Sequence, residues 1–398
     1  MDSVGSKRML LGAVTILFWF TQFVYIPFFT PYLLSLSISA AVVGVIIGVY
    51  GFTQMVLKLP IGIVSDGVVN HKFFIVGGCL LASLSSIGML VFPNWLCLIL
   101  ANGISGVASS TWVSFTVLYS FYYNKAETSK AIGLVNAFNN IGIVLAYAVG
   151  GLLYQYFGMG MLFAVSFSSG ILAAILALFI KKKAMLSLVS EKPRITRKAI
   201  IGVMRDKRLW FFSILSSFSF FILFASVFSF SNSTAKQLGA SGYEMGILLI
   251  IFSLAGSLSS VFSGTKAAQN LGEKNLIIVG FLILGIYCGC VASVQSVIYF
   301  FPLQLFCGLG GGVLGAVLMS AIVKYSNVNK KAIAMGFYQT IYGVGMTIGP
   351  VIMGYLVDTT TQFASFSFLA FIALACALTV AVMYRPLVIE ETRRKRVG

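Results

Sequence analysis

The chain has 398 residues, of which 59% are hydrophobic and only 9% are charged, and its mean hydropathy is +0.99. A water-soluble domain cannot bury that share of apolar surface, so the composition excludes the soluble classes and indicates an integral membrane protein. The net charge of +17 would suggest nucleic acid as the partner of a soluble protein. In a membrane protein, basic loops facing anionic lipid headgroups account for it, and no nucleic-acid partner is expected.

Long uncharged runs predict the membrane-spanning helices, because crossing a hydrocarbon core of ~30 Å takes ~20 helical residues. Three runs of 49 to 52 residues, 9–57, 73–124 and 131–180, have turn-like middles and predict two helices each. Four further runs predict one helix each: 209–235, 245–265, 332–357 and 359–384. The run 275–323 predicts two helices. The sequence thus predicts an all-α protein with twelve spans, and such continuous runs exclude a transmembrane β-barrel.

The basic residues are distributed unevenly between the two sides of the predicted membrane. With twelve spans both termini lie on one side, and 25 of the 27 Lys and Arg residues fall on that side. Lys236 falls on the other side, and Lys58 lies within a span. The positive-inside rule therefore predicts that both termini are cytosolic, and we expect a multi-pass protein of a bacterial plasma membrane.

The longest hydrophilic stretch, 181–208, separates six predicted spans from six. It predicts a six-helix bundle over 1–180, a basic cytosolic linker over 181–208, and a second six-helix bundle with a short basic tail over 209–398. Matches at offsets of 201 and 202 residues indicate an internal duplication: Lys130-Ala131-Ile132 over Lys331-Ala332-Ile333, Gly142 over Gly343, Tyr154 over Tyr355, Gly62 over Gly264, and Lys72 over Lys274. Two such halves imply alternating access, with a substrate site between them near the midplane.

The sequence offers little for metal, redox or enzymatic chemistry. All six cysteines lie within predicted spans and there is one histidine, His71, so no Cys-x-x-Cys pair or Cys/His ligand set is present. We expect no structural metal, no disulfide and no cofactor. The 28 residues of 181–208 are fewer than the ~40 that usually fold alone, so no soluble catalytic domain is expected.

The end of the second span carries Gly62, Asp66 and Lys72. This spacing resembles the cytosolic loop signature of the major facilitator superfamily, which has a glycine four residues before an aspartate and then basic residues. The resemblance implies that these three residues gate the transporter, with Asp66 as a latch. Gly67 stands where the family usually has an arginine, and Ala268 stands at the aspartate position of the second half.

The fifth span reads Gly142-x3-Ala146-Tyr147-x2-Gly150-Gly151 and is similar to a signature of exporters in the same superfamily. The eleventh span carries a fuller version, Gly345-x3-Gly349-Pro350 and then Gly354. Close helix packing is an alternative role for these small residues. In the fourth span, Asn102 takes the place of the family's arginine that is linked to proton coupling. The resemblance covers nearly the whole chain and implies a secondary active transporter.

Polar side chains in mid-span usually face another helix or a water-filled cavity, and the sequence alone leaves both roles open for each residue. Asn136, Asn139 and Asn140 share one helix face through their spacing. The candidate substrate-binding residues are Gln22, Tyr25, Gln54, Lys58, Asn102, Trp112, Asn136, Asn139, Asn140, Gln304, Gln339 and Tyr342.

Lys58 is the only charged residue within a predicted span. Its ammonium group either snorkels to the cytosolic interface or meets a carboxylate or phosphate of the substrate. None of the ten acidic residues lies in mid-span. Because cation exporters of the superfamily often rely on a membrane-embedded carboxylate, a neutral, zwitterionic or anionic amphiphile is the favoured substrate.

These observations predict a monomeric exporter of a small amphipathic molecule, either a drug or a secreted metabolite such as a metal-chelating siderophore, with protons as the coupling ion. Import of a small polar metabolite is the alternative. A receptor without transport activity and a lipid flippase belong to different functional classes.

Overall fold

The protein is described by a computed structural model over residues 4–67, 71–124, 127–180, 202–326 and 331–390. Within these ranges the regular elements are helices, and no strand occurs. The helices of the first half are α1 (Val4–Phe23), α2 (Ile26–Ser35), α3 (Ala40–Gly67), α4 (His71–Val91), α5 (Trp95–Ser110), α6 (Trp112–Ser120) and α7 (Thr128–Leu178).

The second half begins with α8 and contains two short π-helical segments and one 3₁₀ turn among its described residues. Its α-helices are α8 (Lys207–Ala225), α9 (Ser231–Gln237), α10 (Gly242–Ser263), α11 (Lys266–Leu271), α12 (Glu273–Val291), α13 (Phe300–Tyr325), α14 (Lys331–Thr359) and α15 (Gln362–Tyr384). The π-helical segments are Ser226–Phe230 and Arg385–Glu390, and the 3₁₀ turn is Val297–Tyr299.

Eleven helical segments of the described chain are long and apolar enough to cross a membrane. One of them, Lys130–Leu178, has 49 residues and lies within α7. At 1.5 Å per residue it would extend about 74 Å, more than twice a bilayer core. Gly158 divides it, because its φ of 72° and ψ of −169° are not helical. Counting α7 as two spans gives twelve, so the all-α membrane fold predicted from the sequence is confirmed.

The first spanning helix of each half is interrupted at related positions. Between α1 and α2 the chain leaves the helix at residues 24–25, where Pro27 supplies a helix start without an N–H group. Between α8 and α9 the interruption is the π-helical segment Ser226–Phe230. Tyr25 and Ser226 are 201 residues apart, so both interruptions occur at the same point of the repeat.

The helices group into two compact units. One comprises Met1–Ile38, Val45–Glu191 and Ala240–Ile250; the other comprises Ser39–Gly44, Lys192–Gly239 and Ile251–Gly398. The first turns of α3 therefore pack with the second unit, and the first turns of α10 pack with the first. Most of the predicted linker, 181–201, lies outside the described residues.

Equivalent helix contacts recur in the two halves and support the duplication. A Cβ atom on Gly106 would lie 2.5 Å from the backbone oxygen of Tyr50, and one on Gly308 would collide with the backbone oxygen of Phe252. Both residues of the second contact lie 202 positions after those of the first. These glycines allow the helix backbones to approach closely.

The register of one helix pair differs from the sequence match. Gly142 on α7 packs against the backbone of Ile16, and Gly345 on α14 packs against the backbone of Ser217. Gly142 therefore corresponds to Gly345, at an offset of 203, and the matches of Gly142 with Gly343 and of Tyr154 with Tyr355 are wrong by two residues. Isolated identities could not resolve this shift, because glycine and tyrosine recur along both helices.

Candidate functional site

Gln22 lies in the last turn of α1, just before the helix is interrupted, and is 3% exposed. Its Nε2 donates to the backbone oxygen of Ser105 at 3.1 Å and to Oγ of Ser109 at 3.0 Å. Its Oε1 accepts from Oγ of Ser105 at 2.5 Å. The amide is thereby connected to α5 through both its nitrogen and its oxygen.

Two tyrosines extend these contacts. The hydroxyl of Tyr50 on α3 lies 3.0 Å from Oγ of Ser109, and the hydroxyl of Tyr25 lies 3.4 Å from Oγ of Ser105. We name Gln22, Tyr25, Tyr50, Ser105 and Ser109 the amide–hydroxyl network. It links three spanning helices, and Tyr50 is its only half-buried member. A polar network inside a membrane protein is stable when its members satisfy one another, as these do.

An aromatic cluster adjoins the network in the same unit. The Trp19 ring lies 5.3 Å from that of Trp112 and 5.5 Å from that of Phe23, and the Phe23 ring lies 6.1 Å from that of Tyr147. Nε1 of Trp19 and the hydroxyl of Tyr147 are buried and have no hydrogen-bond partner among the described residues. An unsatisfied buried donor is unfavourable, so each of these groups would gain from an acceptor oxygen that came within reach.

The second unit carries an aromatic cluster on equivalent positions. Phe220 and Phe224 follow Trp19 and Phe23 by 201 residues. Phe220 stacks on Tyr342 with ring centroids 4.5 Å apart, and Tyr342 lies 5.3 Å from Tyr338. Flat ring pairs of this kind provide apolar faces on which a planar or aliphatic group can lie.

The other buried amides connect helices. Nδ2 of Asn102 donates to the backbone oxygen of Ile46 on α3 at 2.6 Å. Nε2 of Gln304 is 3.5 Å from the hydroxyl of Tyr287, which is 2.7 Å from Oγ of Ser231. The Oε1 atom of Gln304 is buried without a partner in the described ranges. Gln54 is also buried, at 9% exposure. For Asn102 the geometry favours a helix-linking role over ligand contact.

The remaining candidate residues differ in exposure. Lys58 is half-buried on α3, one turn beyond Gln54. On α7, Asn136 and Asn140 are exposed while Asn139 is half-buried. On α14, Gln339 and Tyr342 are half-buried. The structure thus brings Gln22 and Tyr25 together through Ser105, and Trp112 together with Trp19. Substrate contact by any of the candidate residues stays a prediction.

Of the predicted gating residues, Gly62 and Asp66 fall in the last turns of α3, where the structure describes only the backbone. Lys72, in the first turn of α4, donates from Nζ to the backbone oxygen of Leu178 at the end of α7. A cation at a helix C-terminus is favourable because it meets unpaired carbonyl groups. This contact is a capping role, and gating by these residues stays a prediction.

Sequence reasoning missed Trp19, Tyr50, Ser105 and Tyr147. Serine is too common in membrane helices to stand out, and single aromatic residues in a span are usually packing residues. The repeat contained a usable signal, because Trp19 and Phe23 align with Phe220 and Phe224. That alignment places an aromatic pair, one helical turn apart, at the same point of both halves.

The sequence model of the Major Facilitator Superfamily matches residues 11–267 and 226–397. The inner membrane transport protein YajR of Escherichia coli (strain K12) is 23% identical over 358 residues, which are 87% of this chain and 76% of YajR. A homolog of the multi-drug resistance efflux pump PmrA from Lactococcus lactis subsp. lactis (strain IL1403) is 23% identical over 287 residues, 71% of this chain and 70% of the homolog.

Among solved structures, the nucleoside transporter NupG superposes with a TM-score of 0.80. The match covers 95% of this chain and 99% of NupG at 14% sequence identity, so it bears on the fold alone. The all-α membrane fold agrees with these similarities. The chain is a multi-pass membrane protein that belongs to the major facilitator superfamily, and it is a transporter of a small molecule, not an enzyme.

Proposed function

We propose that this transporter exports a small amphipathic molecule that is anionic or zwitterionic, by alternating access and as a monomer. A secreted metabolite such as a metal-chelating siderophore and an amphipathic drug both fit that description. The proposal includes a bacterial plasma membrane and cytosolic termini, which the 25 Lys and Arg residues predicted on one side support.

The substrate charge follows from the position of the acids. Each acidic side chain of the described chain lies next to a helix end. Glu127 precedes α7, Asp206 caps α8, Glu244 and Glu273 lie in the first turns of α10 and α12, and Asp358 lies in the last turn of α14. No described mid-span position therefore offers a carboxylate to a cationic substrate. This observation carries the proposal for the substrate class.

Export rests on the small residues of α7 and on one relative. Gly142 lies against the backbone of α1 at Ile16, Gly150 against the backbone of Val24 just after α1, and Gly151 against the backbone of α10 at Gly242. These contacts show the packing role that is the alternative for these residues, so the signature supports export only through its resemblance to that of exporters. The similarity to an efflux pump homolog favours export further. Import of a small polar metabolite is the competing direction.

The test uses inside-out vesicles that contain the purified chain and three dyes of similar size, one anionic, one zwitterionic and one cationic. We expect energised uptake of the first two dyes and not of the cationic one. Uptake into right-side-out vesicles alone would reverse the proposed direction, and preference for the cation would reject the proposed substrate class. Loss of uptake with a protonophore would support proton coupling, which we propose as the energy source.

Lys58 gives a residue-level test of the same proposal. If its ammonium group meets an anionic group of the substrate, Lys58→Gln should slow transport of the anionic dye about tenfold or more, since a charge-assisted hydrogen bond contributes ~1.5–3 kcal/mol. Lys58→Arg keeps the charge and should stay partly active. If the side chain only snorkels, both variants should transport every dye like the parent protein.

A further inference from the structure

Asp358, at the end of α14, caps the N-terminus of α3. Its Oδ1 accepts from the backbone N–H of Ala40 at 2.9 Å, and its Oδ2 accepts from the N–H of Ala41 at 2.8 Å. The first N–H groups of a helix have no partner within the helix, and the helix dipole makes this end positive. A carboxylate that accepts from two of them satisfies both the hydrogen-bonding and the electrostatic requirement.

The repeat contains an equivalent contact without the charge. Oε1 of Gln155 on α7 accepts from the backbone N–H of Gly242 at the start of α10, at 2.7 Å. Gly242 follows Ala40 by 202 residues, and Asp358 follows Gln155 by 203, the register found above for these helix pairs. Asp358 and Gln155 are therefore equivalent residues with equivalent bonds.

The helices cross closely at both places. Gly44 packs against the backbone of Pro350, and its equivalent Gly246 would bring a Cβ atom to 2.7 Å from the backbone oxygen of Tyr147. Gly354 packs against the backbone of Ala40, and its equivalent Gly151 would bring a Cβ atom to 3.2 Å from that of Gly242. We name these contacts the α3 crossing, with α14, and the α10 crossing, with α7.

The two crossings differ in where the negative charge comes from. At the start of α10, Oε2 of Glu244 accepts from the N–H of Ser241 at 2.8 Å and from its Oγ at 2.7 Å, and Oγ of Ser241 accepts from the N–H of Glu244 at 3.3 Å. This is a capping box inside one helix. At the start of α3 the equivalent of Glu244 is Val42, so the carboxylate comes from another helix.

We propose that Asp358 is a charge-dependent latch on the α3 crossing and that Gln155 is its uncharged counterpart on the α10 crossing. The inference rests on the alternating access proposed above, in which both crossings separate during the transport cycle. When they separate, α10 keeps its own carboxylate, whereas α3 loses the one that Asp358 supplies. The charge therefore acts at the α3 crossing alone, but because both crossings separate in the same transition, losing it should expose both.

The test is the rate at which a membrane-impermeant maleimide labels single cysteines placed at Ala40, which is 2% exposed, and at Ala240, which is 1% exposed. Cys97 and Cys290 are first replaced by serine, because they are the half-buried and the exposed cysteine, while the other four are buried. Labelling needs neither substrate nor transport, so its outcome is separate from that of the dye experiment.

Asp358→Gln should raise the labelling rate at both positions by about 2- to 30-fold, the range expected from the strength of a helix N-cap. Asp358→Asn keeps the shape of the side chain and should act in the same direction. Thr359→Ala is the matched control, because the Thr359 hydroxyl bonds to the Tyr355 backbone oxygen within its own helix, and it should leave the rates unchanged.

Rescue distinguishes charge from shape. Val42→Glu added to Asp358→Gln gives α3 the capping box of α10 and should restore slow labelling, whereas Val42→Gln in the same background should not. Unchanged labelling in Asp358→Gln, or equal rescue by Val42→Gln, would overturn the latch. Faster labelling at position 40 alone would overturn its link to the transport cycle, because it would report local fraying of α3.

Discussion

The two repeats make the same helix crossing with different chemistry. In the first, Gln22 of α1 bonds to Ser105 and Ser109 of α5. Their equivalents in the second are Leu223, Cys307 and Gly311. A Cβ atom on Gly311 would lie 3.3 Å from Cδ1 of Leu223, so the same positions meet again, now as an apolar contact.

Comparing the polar crossing of the first repeat with the apolar crossing of the second shows which contacts the fold requires. Since Leu223 and Gly311 pack this crossing with an apolar contact, the fold does not need the amide–hydroxyl network. Burying an amide and several hydroxyl groups has a desolvation cost that the network must offset through its own bonds. We infer that the first repeat carries the polar recognition chemistry and that the second supplies an apolar surface.

The largest effect on stability should come from disrupting the close glycine contacts between helices that both repeats share. Gly142→Val and Gly345→Val each drive a side chain into the backbone of a neighbouring helix, at Ile16 and Ser217. We expect each variant to lose about 3 kcal/mol of stability, the upper end of the range for overpacked cores, measured by unfolding in detergent. Gly133→Ala and Gly315→Ala are controls, because a Cβ atom at either site meets nothing within 4 Å.

Equal effects at Gly142 and Gly345 would support the 203-residue register, because that register makes the two positions equivalent. Gly343→Ala provides a comparison at the position that the 201-residue match favoured. If Gly343→Ala were as destabilising as Gly345→Val, or if the valine variants unfolded like the parent protein, the shared-crossing model would be contradicted.

The next effect should come from transplanting the apolar crossing into the first repeat. Gln22→Leu alone leaves the hydroxyls of Ser105 and Ser109 without their amide partner and should cost about 1–3 kcal/mol. Adding Ser105→Cys and Ser109→Gly copies the second repeat and should recover most of that loss. Transport should remain impaired in the triple variant, because the polar chemistry is absent.

Measuring unfolding and dye transport on the same preparations separates the two roles. The triple variant supports the comparison if it is stable and inactive. Full transport by a stable triple variant would show that the network only links helices. The conservative Ser109→Thr keeps the hydroxyl and serves as a control for changes in volume.

The sequence was informative about features that follow from composition and length. Charge-free runs predicted the spans, because placing charge in lipid is costly, whereas the division at the basic loop stays a prediction. It was less informative about contacts. The partners of Gln22 lie 83 and 87 residues away, and nothing in the local pattern around Ser105 distinguishes it from other serines.

Equivalence between the repeats was the one long-range signal that the sequence contained. Aligning the two repeats could have paired Gln155 with Asp358, but only with an offset of 203 residues between α7 and α14, which the glycine contacts established. A shift of two residues on a helix turns a side chain by about 200°, so the earlier register would have placed the equivalent of Asp358 on the opposite face. Uncertainty about the offset between the repeats, more than about residue types, therefore limited what the sequence could predict of these contacts.

The smallest effect should come from Lys324, whose ion pair only the second repeat makes among the described residues. Glu273, at the start of α12, accepts from Nζ of Lys324 at 2.9 Å and from the hydroxyl of Tyr384 at 2.9 Å. The first repeat has His71 and Tyr122 at the positions of Glu273 and Lys324. There Arg8 donates to the backbone oxygen of Tyr122 at 2.6 Å.

Lys324→Met should lower stability by no more than about 1 kcal/mol, because its side chain is 58% exposed and exposed ion pairs contribute little. Tyr384→Phe should cost more, about 1.5–3 kcal/mol, since the buried hydroxyl donates to a charged carboxylate. High salt should reduce the effect of Lys324→Met and leave that of Tyr384→Phe nearly unchanged, because salt screens exposed charges more than buried ones. A larger and salt-insensitive effect at Lys324 would contradict this view. The ion pair at the start of α12 would then belong to the core of the second repeat, like the buried Arg208–Asp206 pair.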